Sequence, residues 1–409
     1  MSLPPRLIIA DPGLRSALGH HLGYTLAVAE AARERGIAPL VLASKQFSGA
    51  MPTGIPCLPT FGAVYQSAGG GGAARRAVFG LAARLPGGLA ASVAPPLRLL
   101  RRVLVRPAPD TLAAELATAL VANGDTRQDL LLLHSASAAN LAGMVAGLPP
   151  ECLGALAIVL RRTPVEMDRD DAGAQPVAAI LAGIADRFGP KLRLLADTAP
   201  LAALWTATSG RPVRVAPLPV VAPPVRTGGP GRPPHLVFAG GARAEKGYAL
   251  LPALVASLVG QARFTIHSGP VGTAADPVVQ RAQRQMRGIA GAQLHLLETP
   301  LPPEDYLNLL QAADLLLLPY DSAAYGPRSS GILAEARAMG VPAVVPAGCW
   351  MADEVGPDHS LVFHRPAEFA RVVRDALPRL PVLLTQYATA ASAWRIRHSP
   401  AGLLAELLR

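Results

Sequence analysis

The sequence predicts an α/β protein built from two doubly wound domains that face a cleft. In both halves of the chain, short apolar runs typical of buried strands alternate with helical patterns. A segment rich in proline and glycine, residues 217–234, interrupts every periodic pattern between the two halves. At 409 residues the chain also exceeds the usual size of a single core. Two parallel sheets covered by helices are therefore expected.

The first half begins with a strand–helix–strand unit. The run "RLIIA" at 6–10 predicts a strand, "TLAVAEAARERG" at 25–36 predicts a helix, and "APLVLAS" at 38–44 predicts the next strand. Residues 11–24 predict a loop, and Gly36 is a plausible helix stop. Further strands are predicted by the apolar runs at 129–134, 154–160 and 191–196. Such uninterrupted apolar runs are typical of strands buried on both faces of a parallel sheet.

The second half repeats the alternation. Five strands are predicted, at 235–241, 262–269, 292–298, 314–320 and 342–346. Four helices are predicted between them, at 246–259, 278–288, 303–313 and 330–340. Strands joined by helices in this way form a parallel sheet with right-handed crossovers, and ligands bind at the carboxyl ends of the strands.

Composition narrows the class of protein. A hydrophobic fraction of 51% with 16% charged residues indicates a packed globular chain and excludes a disordered one. The cysteines Cys57, Cys152 and Cys349 are too far apart for a metal site or a disulfide framework, which favours a reducing compartment. No apolar run has the length of a signal peptide or a membrane span. We therefore expect a cytoplasmic protein.

The net charge of +10 is unevenly distributed. Residues 73–106 contain seven arginines and no acidic residue, and apolar residues are interleaved with them. Nucleic acid is one partner for such a segment, but the apolar residues favour a surface that lies on anionic lipid. A solvated basic face on an inserted helical pair explains the pattern equally well. We expect no nucleic-acid partner, and contact with the inner face of a membrane is one of the two open alternatives.

Two strand-to-helix corners of the second half carry candidate ligand groups. In "FAGGARAEKG" at 238–247, Gly240 and Gly241 allow a tight turn, and Arg243 and Lys246 supply two cations suited to a diphosphate. An ordinary basic surface turn is the alternative.

The other corner is "YGPRSSGILAEARAMGVPAVVP" at 325–346. Its Ser329, Ser330 and Gly331 lie where a helix begins, so their backbone N–H groups can bind an anion. Alternatively, one of the serines only caps the helix. Glu335, further along the helix, can accept hydrogen bonds from a ribose diol or can interact only with the helix dipole.

Together these two stretches resemble the donor-binding domain of GT-B glycosyltransferases, in particular the retaining family 4 type. That family typically has a Gly-Arg-x-x-x-Glu-Lys-Gly loop and a Glu-x7-Glu motif that ends in "EA-A-G-PVV". The resemblance is specific over 235–348. It is weaker over the first half, where "GHHLGYTLAVAEAARERG" is similar to the first loop and helix of the family.

The resemblance implies a role for several residues. Lys246 matches the phosphate-binding lysine, and Glu335 matches the second, ribose-binding glutamate. Gly241 stands where the family has its arginine, and Arg243 is our candidate replacement. The first glutamate of the motif is replaced by Pro327, which removes a contact to the donor sugar. The substrate-binding set that we predict is Gly19, His20, Gly240, Gly241, Tyr325, Arg328, Ser329, Ser330, Gly331, Ile332 and Glu335.

His134, at the end of a strand, is similar in position to a histidine that approaches the donor sugar in related enzymes. A satisfied structural histidine is the alternative. The predicted catalytic set is His134, Arg243 and Lys246. Arg161 and Arg162 follow a strand and are candidates for binding an anionic acceptor. Only one of His20 and His21 is expected to enter the cleft, because adjacent residues of a helix face different ways.

Two further motifs are assigned structural roles. The Asp-x-Asp triplet in "DRDD" at 168–171 is expected to be a solvated loop, because it lies away from the phosphate motifs. Trp350, Met351 and Asp353 are expected to pack beneath the cleft. No metal and no cofactor are predicted.

The domains that the resemblance implies are an acceptor domain at 1–220 with a basic apolar insertion at about 65–110, a linker at 221–234, and a donor-binding domain at 235–390. A C-terminal helix at 391–409 is expected to pack back on the first domain. The predicted function is transfer of a sugar from a nucleotide-diphosphate sugar to a glycan or lipid-linked acceptor, as in polysaccharide biosynthesis. The alternatives are a nucleotide-sugar epimerase and a catalytically silent nucleotide-sugar-binding scaffold.

Overall fold

The computed structural model describes residues 4–16, 20–62, 109–145, 147–170, 175–272, 275–355 and 359–409. Gly19 and the basic apolar segment at 73–106 lie outside these ranges. By residue contacts the chain divides into two compact units. The first unit holds the described residues within 1–17, 32–195 and 204–213, and the second holds those within 18–31, 196–203 and 214–409. The domain boundaries and the docking of the C-terminal helix stay predictions.

A parallel sheet forms the first half of the described chain. Its strands are β1 Arg6–Asp11, β2 Ala38–Ser44, β3 Cys57–Phe61, β4 Leu130–Leu133, β5 Ala155–Leu160, β6 Leu192–Ala196 and β7 Arg214–Val215. They lie in the order β3–β2–β1–β4–β5–β6–β7, and β1 to β5 pair in parallel. Strands β4 and β5 are buried along their whole length, as their apolar runs predict.

All five strands predicted in the first half are confirmed, but β3 and β7 were missed. Strand β3 contains Pro59, which argues against a strand when the sequence is considered alone. It lies at the edge of the sheet, where a proline without an N–H group is tolerated. Strand β7 has two residues and no detectable apolar pattern.

The helices of the first half are α1 His20–Glu34, α2 Pro109–Ala122, α3 Ala138–Val145, α4 Pro164–Asp170, α5 Val177–Phe188 and α6 Ala199–Ser209. Helix α1 begins inside the stretch predicted as a loop. Its buried residues Tyr24, Ala27, Val28 and Ala31 are spaced as one face of a helix. Tyr24 therefore belongs to the helical pattern, which explains the earlier start.

A second parallel sheet forms the later half of the chain. Its strands are β8 His235–Phe238, β9 Arg263–His267, β10 Leu294–Leu297, β11 Leu315–Leu317, β12 Ala343–Pro346 and β13 Val362–Phe363. Their order is β10–β9–β8–β11–β12–β13, with parallel pairing throughout. The five predicted strands are confirmed. The sixth strand, β13, was missed because two residues are too few to show an apolar pattern.

The helices of this half are α7 Leu251–Ser257, α8 Pro277–Ile289, α9 Pro303–Gln311, α10 Ser322–Tyr325, α11 Gly331–Ala338, α12 Trp350–Glu354, α13 Phe369–Ala376, α14 Leu380–Arg397 and α15 Pro400–Leu408. The helix predicted at 246–259 is wrong in its first third. Single 3₁₀ turns at Ala244–Lys246 and Tyr248–Leu250 precede α7, because Gly247 adopts a left-handed conformation with φ of 66°. In the described part of the chain, no helix has both the length and the apolar character that crossing a bilayer requires.

Helix α11, which carries Glu335, is anchored to α14. The Trp394 Nε1–H group donates to the Ala334 carbonyl at 3.0 Å. The Arg337 guanidinium lies 4.5 Å from the ring centroid of Tyr387 and 5.4 Å from that of Trp394. These cation–π contacts stabilise the charge of a buried guanidinium. These contacts join α11 to α14.

The packing role predicted for the segment after β12 is confirmed for two of its three residues. Trp350 and Met351 are buried in the core of the second unit, whereas Asp353 is exposed.

His398, directly after α14, makes the stability of this unit depend on pH. Its ring stacks on Trp394 at 4.1 Å between centroids, and both ring nitrogens are buried without a hydrogen-bond partner among the described residues. Burial, assisted by the Arg397 charge, lowers the pKa of His398 to about 4. An unfolded histidine binds its proton near pH 6.5, so the unfolded state gains protons first as the pH falls.

We expect this residue to lower the free energy of unfolding by about 3 kcal/mol between pH 6.5 and pH 4. Urea unfolding of the wild type and of His398→Leu at pH 7, 6, 5 and 4 measures the effect. The leucine variant should show a smaller loss over this window. Parallel pH profiles for the two proteins would contradict the assignment.

Candidate functional site

The two predicted corners meet at the middle of the second sheet. Strands β8 and β11 are neighbours, and from this pair the chain order runs outwards in opposite directions, to β9 and β10 on one side and to β12 and β13 on the other. This is the topological switch point of a doubly wound sheet, where the loops at the carboxyl ends diverge and leave a crevice for ligand. The corner after β8 comprises residues 239–247, and the corner after β11 comprises residues 318–330.

The corner after β8 requires glycine at Gly247. A Cβ atom placed there would lie 1.7 Å from the Pro319 carbonyl oxygen, which belongs to the other corner. Gly241 also has a positive φ of 70°, and its N–H group donates to the His267 carbonyl at 3.2 Å. At Gly247, the backbones of the two corners approach each other too closely for a residue with a side chain.

A backbone hydrogen bond also joins the corners. The Asp321 N–H group donates to the Glu245 carbonyl at 2.9 Å. Residues 243–247 and 319–321 consequently form a single structure, although more than 70 residues separate them in the chain.

Lys246 is the buried cation of this structure. Its side chain is 9% exposed, and Nζ lies 5.5 Å from the ring centroid of Tyr320. Burial, with a smaller contribution from the Arg243 charge, lowers the pKa of Lys246 to about 7. A bound anion would compensate both effects and favour the protonated amine.

Arg243, the other predicted cation, behaves differently. Its side chain is 57% exposed and forms an ion pair with Glu245 at 3.2 Å from Nε to Oε1. The proposed substitution of Arg243 for the missing arginine of the family stays a prediction. In the described structure, the charge of Arg243 helps to lower the pKa of Lys246.

The corner after β11 leads into α11 through two capped turns. The Asp321 side chain accepts a hydrogen bond from the Ala323 N–H group at 2.9 Å and begins the short helix α10. Ser330 is the N-cap of α11, with Oγ accepting from the Leu333 N–H group at 3.3 Å. Ser330 therefore caps α11, and its predicted contact with a ligand stays a prediction. Gly331 and Ile332 follow in the first turn of α11, where N–H groups have no intrahelical acceptor.

Two residues at the end of β6, both in the second unit, position this corner and were missed by sequence reasoning. The Ser329 hydroxyl donates to the Asp197 carboxylate at 2.8 Å. The Thr198 hydroxyl donates to the Pro327 carbonyl. Asp197 and Thr198 are buried. Their position directly after a buried strand was a usable signal, because the carboxyl ends of parallel strands lie at one edge of a sheet.

Arg328 and Tyr325 extend this corner with a stacked arrangement. The Arg328 guanidinium lies 5.1 Å from the ring centroid of Tyr325, and the Tyr325 ring lies 4.5 Å from that of Tyr320. Lys246 lies over the other aromatic ring, so a continuous row of cation, two tyrosines and cation connects the corners. Tyr320 and Tyr325 are the two central residues of this row. Sequence reasoning selected Tyr325 but not Tyr320.

Glu335 lies on α11 and is half-buried. Its Oε2 atom accepts a hydrogen bond from the Tyr306 hydroxyl of α9 at 2.9 Å. Burial raises the pKa of Glu335 to about 7, although this hydrogen bond acts in the opposite direction. A carboxylate held by one donor retains lone pairs for a diol, and ribose binding by Glu335 stays a prediction.

The candidate residues of the first half are described in part. His134 is fully buried, with Nε2 3.3 Å from the Asp11 carboxylate and Nδ1 3.1 Å from the Ser135 hydroxyl. These partners are those of a satisfied structural histidine, and the catalytic role stays a prediction. His20 is the first residue of α1. Arg162 is half-buried, and its Nη2 donates to the Glu166 carbonyl at 3.2 Å.

The loop predicted for the run "DRDD" at 168–171 is wrong for residues 168–170, which are helical. Asp168 and Asp170 belong to helix α4, and the Asp168 carboxylate accepts from the Val177 N–H group at 2.7 Å. The Asp168 carboxylate therefore has a structural partner at the start of α5. Within the described ranges, no three His, Cys, Asp or Glu side chains are grouped as a metal site would need. The absence of a metal requirement stays a prediction.

Comparison with solved structures decides the fold. Over 98% of this chain, HepE of Anabaena in complex with UDP and glucose superposes with a TM-score of 0.64 at 14% identity, covering 98% of that chain. Sucrose-phosphate synthase of Thermosynechococcus elongatus gives 0.64 at 12% identity over 98% of this chain and 97% of its own. The fold is of the GT-B type. The predicted fold class of two Rossmann-like domains is thereby confirmed.

Other structures with the GT-B fold are similar to the same degree. The trehalose-6-phosphate synthase OtsA covers 98% of both chains with a TM-score of 0.61 at 13% identity. No family model and no curated protein sequence matches this chain. At identities of 12–14% the likeness establishes the GT-B fold, and the chemistry must be argued from the residues.

Proposed function

We propose that this protein is a glycosyltransferase that moves a sugar from a nucleoside-diphosphate sugar to a glycan or lipid-linked acceptor, with retention and without a required metal. The observation that carries the proposal is the joining of the two corners. Lys246, the first turn of α11 and the row of Tyr320, Tyr325 and Arg328 converge at the switch point of one sheet.

The physical task of such an enzyme is to stabilise a departing diphosphate. As the bond between the anomeric carbon and the phosphate oxygen breaks, its electron pair leaves with the phosphate, and positive charge develops on the sugar ring. Lys246 and the N–H groups of Gly331 and Ile332 would neutralise the leaving group. The acceptor hydroxyl attacks on the face from which the diphosphate departs, and its proton passes to a diphosphate oxygen. This step needs no protein nucleophile.

The comparisons support the class of donor. HepE was solved in complex with UDP and with UDP-glucose, and another similar structure, from E. coli, was solved with UDP-2-fluoro glucose bound. By analogy, a uracil nucleotide is the first donor base to test for this chain. A cytoplasmic location and peripheral membrane contact through 73–106 belong to the same proposal.

A catalytically silent nucleotide-sugar binder is the second candidate. One observation favours it: Pro327 occupies the position of the first motif glutamate, and its carbonyl is held by Thr198, so this corner offers the donor sugar no carboxylate from that position. An epimerase, which would require acid and base groups for the sugar, has no comparable support at the two corners.

A thermal-shift screen with UDP, GDP, ADP and their glucose conjugates tests the proposal. Stabilisation by one nucleotide, followed by sugar transfer with the matching donor, would support the transferase. Binding without hydrolysis or transfer, over a panel of glycan and lipid-linked acceptors, would favour the silent binder. Donor isomerisation detected by NMR without acceptor would favour the epimerase. A lack of stabilisation by any nucleotide would contradict all three.

The affinity for the donor is expected to peak near pH 7. Protonated Lys246, with a pKa of about 7, favours diphosphate binding, so affinity should fall as the pH rises above 7. Ionised Glu335, with a pKa of about 7, favours hydrogen bonds from the ribose, so affinity should fall as the pH decreases below 7. On each side of pH 7, the affinity for the donor should approach a tenfold decrease per pH unit.

Isothermal titration with UDP-glucose from pH 5.5 to 8.5 measures this profile, because its two phosphates stay ionised throughout. Lys246→Arg should lose the decline above pH 7, whereas Glu335→Gln should lose the decline below it. A flat profile in the wild type would contradict both pKa assignments.

A further inference from the structure

Tyr320 is a buried residue of the corner after β11 that packs against the corner after β8. It follows β11, is 3% exposed, and lies between Lys246 and Tyr325. A Cβ atom placed on Gly240 would lie 3.2 Å from the Tyr320 hydroxyl and 3.0 Å from Lys246 Cδ. The hydroxyl therefore lies beside the Gly240 backbone, next to the side chain of the buried lysine.

This hydroxyl makes no hydrogen bond of regular geometry with the described residues, and the Ser330 hydroxyl is a polar neighbour. Burial raises the pKa of Tyr320 well above the ordinary value, although the neighbouring Ser330 hydroxyl acts in the opposite direction. The group is consequently a neutral donor at every physiological pH. Buried donors in folded proteins are almost always paired, so one without a regular hydrogen bond next to an anion-binding helix terminus calls for a ligand.

On the basis of the proposed function, we propose that the Tyr320 hydroxyl donates a hydrogen bond to a phosphate oxygen of the bound nucleoside diphosphate. Three features of the described residues support this role. The hydroxyl lies between the corner that carries Lys246 and the corner that carries the N-cap Ser330 of α11. Gly240 brings its backbone close to the hydroxyl, because even a Cβ atom there would lie 3.2 Å from it. The tyrosine ring packs between two neighbours, so the donor is pre-oriented.

Tyr320→Phe removes the donor and keeps the ring. We expect the affinity for UDP and for inorganic pyrophosphate, measured by isothermal titration, to fall about 10-fold or more, because the lost hydrogen bond has a charged acceptor. The affinity for uridine should stay unchanged. The melting temperature of the ligand-free variant should be equal to or higher than that of the wild type, because the hydroxyl has no hydrogen bond of regular geometry to lose.

Tyr387→Phe is the matched control. Tyr387 is also 3% exposed and belongs to the same unit, but its hydroxyl donates to the Val355 carbonyl at 2.6 Å. We expect Tyr387→Phe to lower the melting temperature of the ligand-free protein and to leave the affinity for UDP unchanged. The two variants should therefore show opposite effects on stability and affinity.

The outcomes separate this inference from the proposed function. If the wild type binds UDP and Tyr320→Phe binds it equally well, the inference alone is overturned. The same holds if Tyr320→Phe lowers the ligand-free melting temperature as much as Tyr387→Phe does, since the hydroxyl would then be structural. If the wild type binds none of UDP, GDP, ADP and pyrophosphate, the proposed function is overturned and the inference with it.

Discussion

Replacing Lys246 by alanine is expected to lower the rate of sugar transfer by about 10²- to 10³-fold, as the loss of one pre-organised electrostatic contact to a leaving group does. The amine lies at the switch point of the second sheet, where burial and the neighbouring Arg243 make its charge unfavourable in the free protein. Removing it should therefore leave the fold intact and should not reduce the melting temperature. Steady-state kinetics with the matching donor and a melting curve measure the two quantities.

Arg371→Ala is a suitable control for the loss of a positive charge. Arg371 belongs to the same unit, is exposed, and pairs with Asp375 at 3.0 Å on the surface of α13. Its replacement should change the transfer rate less than twofold. A Lys246→Ala variant with the rate of the wild type would refute the assignment of the leaving-group site.

Replacing Gly247 by alanine is expected to lower the free energy of unfolding by about 3 kcal/mol or more. The added Cβ atom would lie 1.7 Å from the Pro319 carbonyl oxygen, so the two corners must separate. Because this separation displaces Lys246 from Tyr320, UDP affinity should also fall. Urea unfolding and isothermal titration measure both effects.

Gly260→Ala isolates the part of this loss that comes from backbone conformation. Gly260 has a φ of 76°, close to the 66° of Gly247, but an added Cβ atom there meets nothing within 4 Å. We expect a loss of about 1 kcal/mol and no change in UDP affinity. Equal losses for the two variants would mean that the close approach of the corners contributes nothing.

The positions of most strands follow from the sequence alone. Uninterrupted apolar runs such as "DLLLLPY" and "GALAIVL" predict strands buried on both faces, and all ten predicted strands are present. The elements that were missed or misplaced lack such a run. Strand β3 contains Pro59, β13 has two residues, and the helix predicted from Lys246 is delayed to Leu251 by the left-handed Gly247.

The candidate site was predictable to a smaller extent. Both corners were selected from their glycines, cations and serines, because these residue types can bind an anion where a strand leads into a helix. The contribution of Tyr320 was not predictable, and Asp197 and Thr198 carried only the general signal of their position after a buried strand. A tyrosine after an apolar run or an aspartate after a strand has no local pattern that distinguishes a ligand contact from packing.

By itself, the sequence determined which segments are buried strands and which two corners have the chemistry of a diphosphate site, because burial and charge are properties of residue types and their spacing. The tertiary structure alone decided that strands β8 and β11 are neighbours and that Gly247 lies against Pro319. It also decided that the Tyr320 hydroxyl is left without a hydrogen bond of regular geometry beside Lys246. These are contacts between residues more than 70 positions apart, and such contacts depend on the order of strands in the sheet.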